Sequence, residues 1–125
     1  MRDLSKQYVM VTGANRGIGA EMHAQLSSAG ANVTGTHRAP ATAGWLSLDV
    51  TDPASCAALT DSYGANPLDL LVCNAGVYLD KAAGLDDYAA ADWAATYAAN
   101  VTGVAARYRL MQFLRAQGCN ADIRL

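Results

Sequence analysis

An apolar run, Tyr8-Val9-Met10-Val11, breaks at Thr12-Gly13 into a turn punctuated by glycine and then resumes as a segment with helical spacing. No other stretch restricts the fold as much. Gly13, Gly17 and Gly19 serve different physical needs. The first lets the chain leave a strand sharply, the second removes a side chain where a phosphate would approach the backbone, and the third lets a helix sit close on a sheet. The helix beginning at Gly17 then turns its positive end toward the same phosphate. Strand, phosphate loop and helix in that order predict a nucleotide site built from Thr12, Gly13, Asn15, Arg16, Gly17, Ile18 and Gly19.

Composition narrows what such a loop can serve. The 125 residues suffice for one domain, 1–125, that buries roughly two-thirds of its unfolded surface. Hydrophobic residues make up 52% of the chain against 16% charged and 7% aromatic, which suits Ala-rich helices packed on a sheet and excludes a disordered chain. A net charge of -2 with scattered basic residues argues against nucleic acid as a partner. Cys56, Cys73 and Cys119 form no C-x-x-C pair and only His23 and His37 are present to join them, so they read as buried, reduced thiols and no metal is expected. The charged start, Met1 to Gln7, leads into too short an apolar run for a signal segment, and no stretch approaches the length of a membrane span. A cytoplasmic location is therefore expected.

Along the chain, Tyr8 to Val11 reads as a central parallel strand. Ile18, Met22 and Leu26 give one helical stripe, which Ala29-Gly30 stops. Asn32 to Thr36 is a second strand and Trp45 to Val50 a third. Between them Ala39 to Gly44 is too brief for a helix, whereas a parallel crossover ordinarily takes about a dozen residues, so an extended loop over the sheet face is expected. Thr51 or Asp52 caps a helix with Pro53 at its first position, Cys56, Leu59 and Tyr63 line one face, and Gly64 to Pro67 ends it. Leu68 to Cys73 is a fourth buried strand, closed by Asn74-Ala75-Gly76. After a loop from Val77 to Leu85, Asp86-Asp87 caps a helical region running to about Gln117, bent at Asn100 and Gly103, with Val101, Val104, Tyr108 and Met111 on one stripe.

This alternation predicts an α/β fold, a doubly wound parallel sheet of Rossmann type with strand order 3-2-1-4 and a ligand beyond the carboxyl ends of the strands. In a site for NAD, a carboxylate about twenty residues past the glycines would hold the ribose 2′-hydroxyl. The chain has Thr36-His37-Arg38 there instead. With Arg16 in the loop, two guanidinium groups are placed to clasp a 2′-phosphate, which favours NADP over NAD; the plainer reading is two solvated surface arginines. His37 reads as a rim residue of that site.

As a set, Thr12-Gly13-x-x-x-Gly17-x-Gly19, Asp49-Val50, Asn74-Ala75-Gly76 and the Asn100 of Tyr97-Ala98-Ala99-Asn100-Val101-Thr102-Gly103 resemble the short-chain dehydrogenase/reductase family. The resemblance covers essentially the whole chain and is nearest to the short C-factor-like or acyl-carrier-protein reductase-like members. It implies that Asp49 and Val50 contact the adenine, where the residues alone equally allow Asp49 to be a strand-end cap. It also implies that Asn74, Ala75 and Gly76 leave space beside the nucleotide while the Asn74 amide pins neighbouring strands. Asn100 falls where the family has a catalytic asparagine that holds a water in a proton relay; read alone, Asn in an Ala-rich helix marks a bend. The implied activity is hydride transfer between the nicotinamide of NADP(H) and a small-molecule carbonyl or alcohol.

The family's active site adds a Ser after a fifth strand and a Tyr-x-x-x-Lys, and neither is here. The lysines are Lys6 and Lys81, and no tyrosine stands four residues before either. The chain stops at Asp122 to Leu125, where a fifth strand would begin, so a cofactor-binding fragment of little turnover is expected; loss of a general acid or base alone costs roughly 10²–10⁴ in rate. The fourth strand would then be an apolar edge, and homo-oligomers are expected through that edge or through the helix from Asn100 to Gln117. A non-catalytic dinucleotide-binding signalling or regulatory module, which needs the same glycines but no Tyr or Lys, is the alternative. A methyltransferase sheet suits Asn-Ala-Gly and the two arginines less well.

Overall fold

Val9, Met10 and Val11 are sealed from solvent and alternate between two hydrophobic clusters, one on each face of a parallel sheet. The structure is a computed structural model and describes residues 4–76, 90–98, 100 and 122–124. Its elements run β1 (Tyr8–Val11), α1 (Gly17–Ser28), β2 (Asn32–His37), β3 (Trp45–Ser47), α2 (Pro53–Tyr63), β4 (Leu70–Val72), α3 (Ala90–Tyr97) and β5 (Asp122–Arg124). The strand order is β3-β2-β1-β4-β5, every neighbouring pair parallel, so the expected 3-2-1-4 arrangement is present with a fifth strand outside β4.

The two faces are covered by different helices, as a doubly wound sheet requires. Met10 and Leu71 point to the α2 face, where they meet Cys56, Leu59 and Tyr63. Val9 and Val11 point the other way, toward Met22 and Leu26 of α1. Because successive side chains of a strand alternate between faces, a one-residue slip of β1 would exchange the two sets; burial on both sides therefore fixes the register. The register is Val9 opposite Val33 and Leu70, and Val11 opposite Gly35 and Val72.

Local chemistry sets the ends of α2. Asp52 caps it by accepting from the Ala54 N–H at 2.9 Å, Pro53 occupies the first turn, and Gly64 closes it at φ 61°. That leaves Thr51 outside the cap, where its N–H and hydroxyl both donate to Asp49 Oδ1, at 2.9 and 2.6 Å. Burial pushes the Cys56 thiol above its ordinary pKa, with the charges of Asp52 and Asp49 adding to the effect. Cys56 and Cys73 are both buried and free of disulfides.

Four expectations are corrected. The third strand ends at Ser47 instead of Val50, because Asp49 folds onto Thr51 in a side-chain turn while Leu48 and Val50 drop into the α2-face core. The fourth strand is Leu70–Val72, shorter at both ends than Leu68 to Cys73; Leu68 belongs to the core, and the chain turns where the Asn74 N–H bonds back to the Val72 carbonyl at 3.1 Å. Ile18 leaves the expected stripe. It is 75% exposed, because Gly19 takes the contact with the turn and Ile18 faces the rim, while Met22 and Leu26 pack on the sheet. Finally, β4 is not an edge: Leu70, Leu71 and Val72 pair with Asp122, Ile123 and Arg124 of β5, which removes the open strand proposed to drive self-association.

The connection from β2 to β3, residues 38–44, carries no helix, as its length predicts, and is tied by a two-residue antiparallel bridge between Thr42 and Trp45. After α3, Ala98 and Asn100 adopt the wider π-helical winding, in keeping with a bend at Asn100. The expected loop from Val77 to Leu85, the Asp86-Asp87 cap, Lys81, the stripe from Val101 to Met111 and Cys119 lie outside the described residues.

Candidate functional site

Since all the strands run the same way, the residues that follow β1, β2, β3 and β4 gather on one rim of the sheet. The glycine turn, Arg38, Asp49 and Asn74 to Gly76 are those residues. The rim is built by clamping the turn from both sides. On the β4 side Thr12, fully buried, donates its hydroxyl to the Val72 carbonyl at 3.4 Å and accepts from the N–H groups of Asn74 and Ala75 at 3.0 and 3.1 Å. The Asn74 side-chain amide returns the link by donating to the carbonyls of Thr12 and Gly13 at 3.2 and 3.1 Å. On the β2 side the Ala14 N–H donates to the Thr36 carbonyl at 3.0 Å and the Gly13 N–H to the Thr36 hydroxyl at 3.3 Å.

This clamp leaves no space at Gly19. A Cβ there would fall within contact of the Gly13 carbonyl oxygen and of Asn74 Nδ2, the two partners of one clamp hydrogen bond. Gly17 is the opposite case, with φ at 57° and open space around the position of a Cβ. A side chain there would be strained, and it would occupy the space in front of the helix. The start of α1 itself is bare: Arg16 is its N-cap in extended conformation, no side chain caps it among the described residues, and its first turn has no acidic residue. Its free N–H groups and the helix dipole therefore favour an anion.

Asn15, Arg16 and Ile18 are exposed on this rim, as is Arg38 past the end of β2. His37 is half-buried, its ring leaning on Trp45, and its Nδ1 is buried without a hydrogen-bond partner. Asp49 has one carboxylate oxygen held by Thr51. Those two hydrogen bonds keep its pKa below the ordinary value, opposed by partial burial and helped by the Arg38 guanidinium, which lies within its field. Val50 is buried in the α2-face core. Asn100, far along the sequence, arrives beside Asn74 to Gly76: its Oδ1 lies 2.9 Å from where a Cβ on Gly76 would stand.

The turn, the Asn-Ala-Gly segment and Asn100 are thus brought together, and Arg16 and Arg38 border the same rim. Thr36 was not singled out in the sequence. Its signal was a threonine at the end of a strand beside a glycine turn, where a hydroxyl can take a backbone N–H that has left the ladder. Trp45 and His23 were also missed, because the stack they form depends on how α1 lies against β3. Chemically the rim offers backbone N–H groups, two guanidinium groups and small residues, a surface for a phosphorylated ligand with room for flat rings. No group of three or more His, Cys, Asp or Glu suited to a metal ion occurs among the described residues, and no helix among them is long and apolar enough to cross a membrane.

Comparison with known proteins agrees with this geometry. The sequence profile of the short chain dehydrogenase family matches residues 7–118. A Saponaria officinalis protein named short-chain dehydrogenase/reductase 1 is 38% identical over 91 residues, which is 58% of this chain and 30% of that protein. A Streptomyces antibioticus protein named "Probable oxidoreductase" is 36% identical over 91 residues, 60% of this chain and 30% of its own length. Among solved structures, a short-chain dehydrogenase/reductase from Serratia marcescens superposes with a TM-score of 0.69 at 29% identity over 93% of this chain and 54% of its own. The ligand-free aldohexose dehydrogenase of Thermoplasma acidophilum shares the fold, with a TM-score of 0.73 at 23% identity over 90% of this chain and 46% of its own. The chain therefore spans about half the length of these structures and less of the curated relatives.

Proposed function

Because this chain belongs to the short-chain dehydrogenase family, we propose that it is the NADP(H)-binding part of an oxidoreductase acting on a small-molecule carbonyl or alcohol. The observation that carries this reading is the bare start of α1 behind the open space at Gly17, on the rim where the ends of β1, β2 and β4 meet. When bound, the cofactor would supply hydride donor and acceptor chemistry. The residues here would bind and orient it: the N–H groups at the uncapped start of α1 would hold the pyrophosphate, and Thr12 and Asn74 keep the turn before them in place. Arg16 and Arg38, with no carboxylate at the end of β2, take the 2′-phosphate. Asp49, with one carboxylate oxygen held by Thr51, and Val50 would contact the adenine. Ala75 and Gly76 would leave room beside the nucleotide, and the Asn100 amide would hold a water for proton transfer.

Reduction needs the Ser and the Tyr-x-x-x-Lys that these 125 residues do not contain, so the chain by itself binds cofactor with little turnover. The buried thiol of Cys56 supports a reducing, cytoplasmic setting. With β4 paired, homo-oligomers would form through the segment from Asn100 to Gln117 that the sequence predicts to be helical, and light scattering reads that state. The test of the main reading is a fluorescence titration of the chain with NADPH and NADH. NADPH should bind at least about tenfold tighter, the worth of one charge-assisted contact. Equal affinities would overturn the NADP assignment, and no binding of either would overturn the dinucleotide reading.

A further inference from the structure

At the end of the sheet away from the glycine turn, the strands do not start level. β2 pairs with β1 from Asn32 onward, opposite Tyr8, whereas its pairing with β3 begins only at Gly35, opposite Trp45. The chain before Trp45 does not run on beside β2. It folds back outside β3, where Thr42 and Trp45 exchange N–H and carbonyl bonds at 3.0 Å each way. The first three residues of β2 thus have a strand on one side and none on the other.

Alternation along a parallel strand decides which backbone groups face that gap. On the β1 side the Asn32 N–H donates to the Gln7 carbonyl at 2.7 Å. On the β3 side the Gly35 N–H donates to the Gly44 carbonyl at 3.4 Å, and the His37 carbonyl accepts from the Leu48 N–H at 2.8 Å. Val33 shares the parity of Gly35 and His37, so its N–H and its carbonyl both point into the gap, where β3 has no residue opposite. Such an edge is a template for another strand.

The gap opens into a cleft of about 590 Å³ whose two sides differ. On the α1 face Ala31, Val33 and Trp45 belong to one apolar cluster, and the Trp45 indole, lying over Gly35, forms the end wall. Thr34, whose side chain alternates with that of Val33, and Ser62 of α2 give the other face hydroxyl groups. None of the described residues lining the cleft is charged.

We propose that this cleft takes a short extended segment of another polypeptide, added to the sheet as a strand antiparallel to β2 and centred on Val33. The antiparallel sense follows from the single free residue: one peptide residue opposite Val33 can exchange both bonds with it, whereas a parallel strand would need two residues, one of them against Gly44. The central residue shares the face of Val33 and is apolar. Its two neighbours point to the hydroxyl-bearing face and are uncharged and polar, since the cleft offers no partner for a charge. Main-chain bonds supply the affinity and the alternating side chains the selectivity.

The experiment is a fluorescence titration of the full chain in a Trp93→Phe background, which leaves Trp45 as the only indole, with the blocked peptide acetyl-Gly-Ser-Val-Ser-Gly-amide. The Trp45 emission should change with half-saturation below about 1 mM, the scale of two hydrogen bonds and one partly covered side chain. Methylation of the central valine nitrogen removes the donor to the Val33 carbonyl and should weaken binding at least about tenfold. Lysine in place of both peptide serines should gain nothing with the parent chain and about threefold with Ser62→Asp, the worth of an exposed ion pair, with the fold of that variant checked by circular dichroism. Equal binding of the N-methyl peptide would mean that side chains alone hold it and would overturn the inference, as would an unchanged emission up to about 10 mM peptide. An affinity that falls as the chain concentration rises would assign the edge to a second copy, and competition with NADPH would move the peptide to the opposite rim; either result overturns it. The inference does not rest on the dinucleotide reading, so failure of NADPH to bind would leave it standing.

Discussion

At the corner where β1 meets β4, main chain packs on main chain and two short side chains tie it: the Gly13 carbonyl lies against Gly19 and takes the Asn74 side-chain amide, and the N–H groups of Asn74 and Ala75 sit on the Thr12 hydroxyl. At the corner where β2 meets β3, they are side chains, with the Trp45 indole on Gly35 and two imidazoles against it. Both corners need a glycine, for reasons that differ in stiffness. An added methyl at Gly19 meets a carbonyl that cannot move without breaking the clamp, whereas at Gly35 it meets a ring that can slide toward the open cleft. The difference teaches that the phosphate-binding end of this rim is set by backbone geometry and tolerates almost no variation. The neighbouring corner is set by packing and can be re-tuned by substitution.

Gly19→Ala is the severest way to test that contrast. It should destabilise the chain by about 3 kcal/mol, the upper end for overpacking a rigid site, and abolish dinucleotide binding, as read by urea denaturation and NADPH titration. Thr12→Val keeps the volume but removes the hydroxyl to which the half-buried Asn74 and Ala75 N–H groups donate, so a loss of about 1.5 kcal/mol in the same urea experiment is expected. Gly35→Ala should cost about 1 kcal/mol, because the indole yields. A cost at Gly35 equal to that at Gly19 would break the distinction between the corners.

The smallest effect belongs to Asp49, at the end of β3. Its carboxylate is stabilised first by the Thr51 hydroxyl, then by the Thr51 N–H, with a lesser contribution from Arg38, so its folded pKa lies below the ordinary 3.8. A depressed carboxylate contributes stability above its unfolded pKa and loses it as pH falls through the folded one. Asp49→Ala should therefore cost about 0.5 kcal/mol at neutral pH, a small figure because the group is largely solvated. The gap between variant and wild type should close as the pH is taken below 3.8. A gap that persists in acid would mean that the side chain acts through packing instead of charge.

Much of this was legible in order along the chain. The apolar β1, the glycine turn, the Asp52-Pro53 start of α2 and the strand order follow from residues whose preferences are local or whose pattern repeats. Strand ends were harder to read, since Leu48, Val50 and Leu68 look like strand and serve as core. An apolar residue has the same signature in either role. Ile18 was misplaced for a related reason: helical spacing shows which residues share a stripe but not how far the sheet extends beneath the first turn.

By itself the sequence determined that a strand must break into a side-chain-free bend and re-form as a helix, because only glycine tolerates the backbone at Gly13 and Gly17 and the approach at Gly19. Only the tertiary structure decided what clamps that bend and what fills the corner beside it. Thr12 with Asn74, Asn100 with Gly76, and Trp45 with His23 and His37 are pairings between distant segments. Such contacts form when parallel strands bring their carboxyl ends to one rim, and no local preference along the chain encodes them.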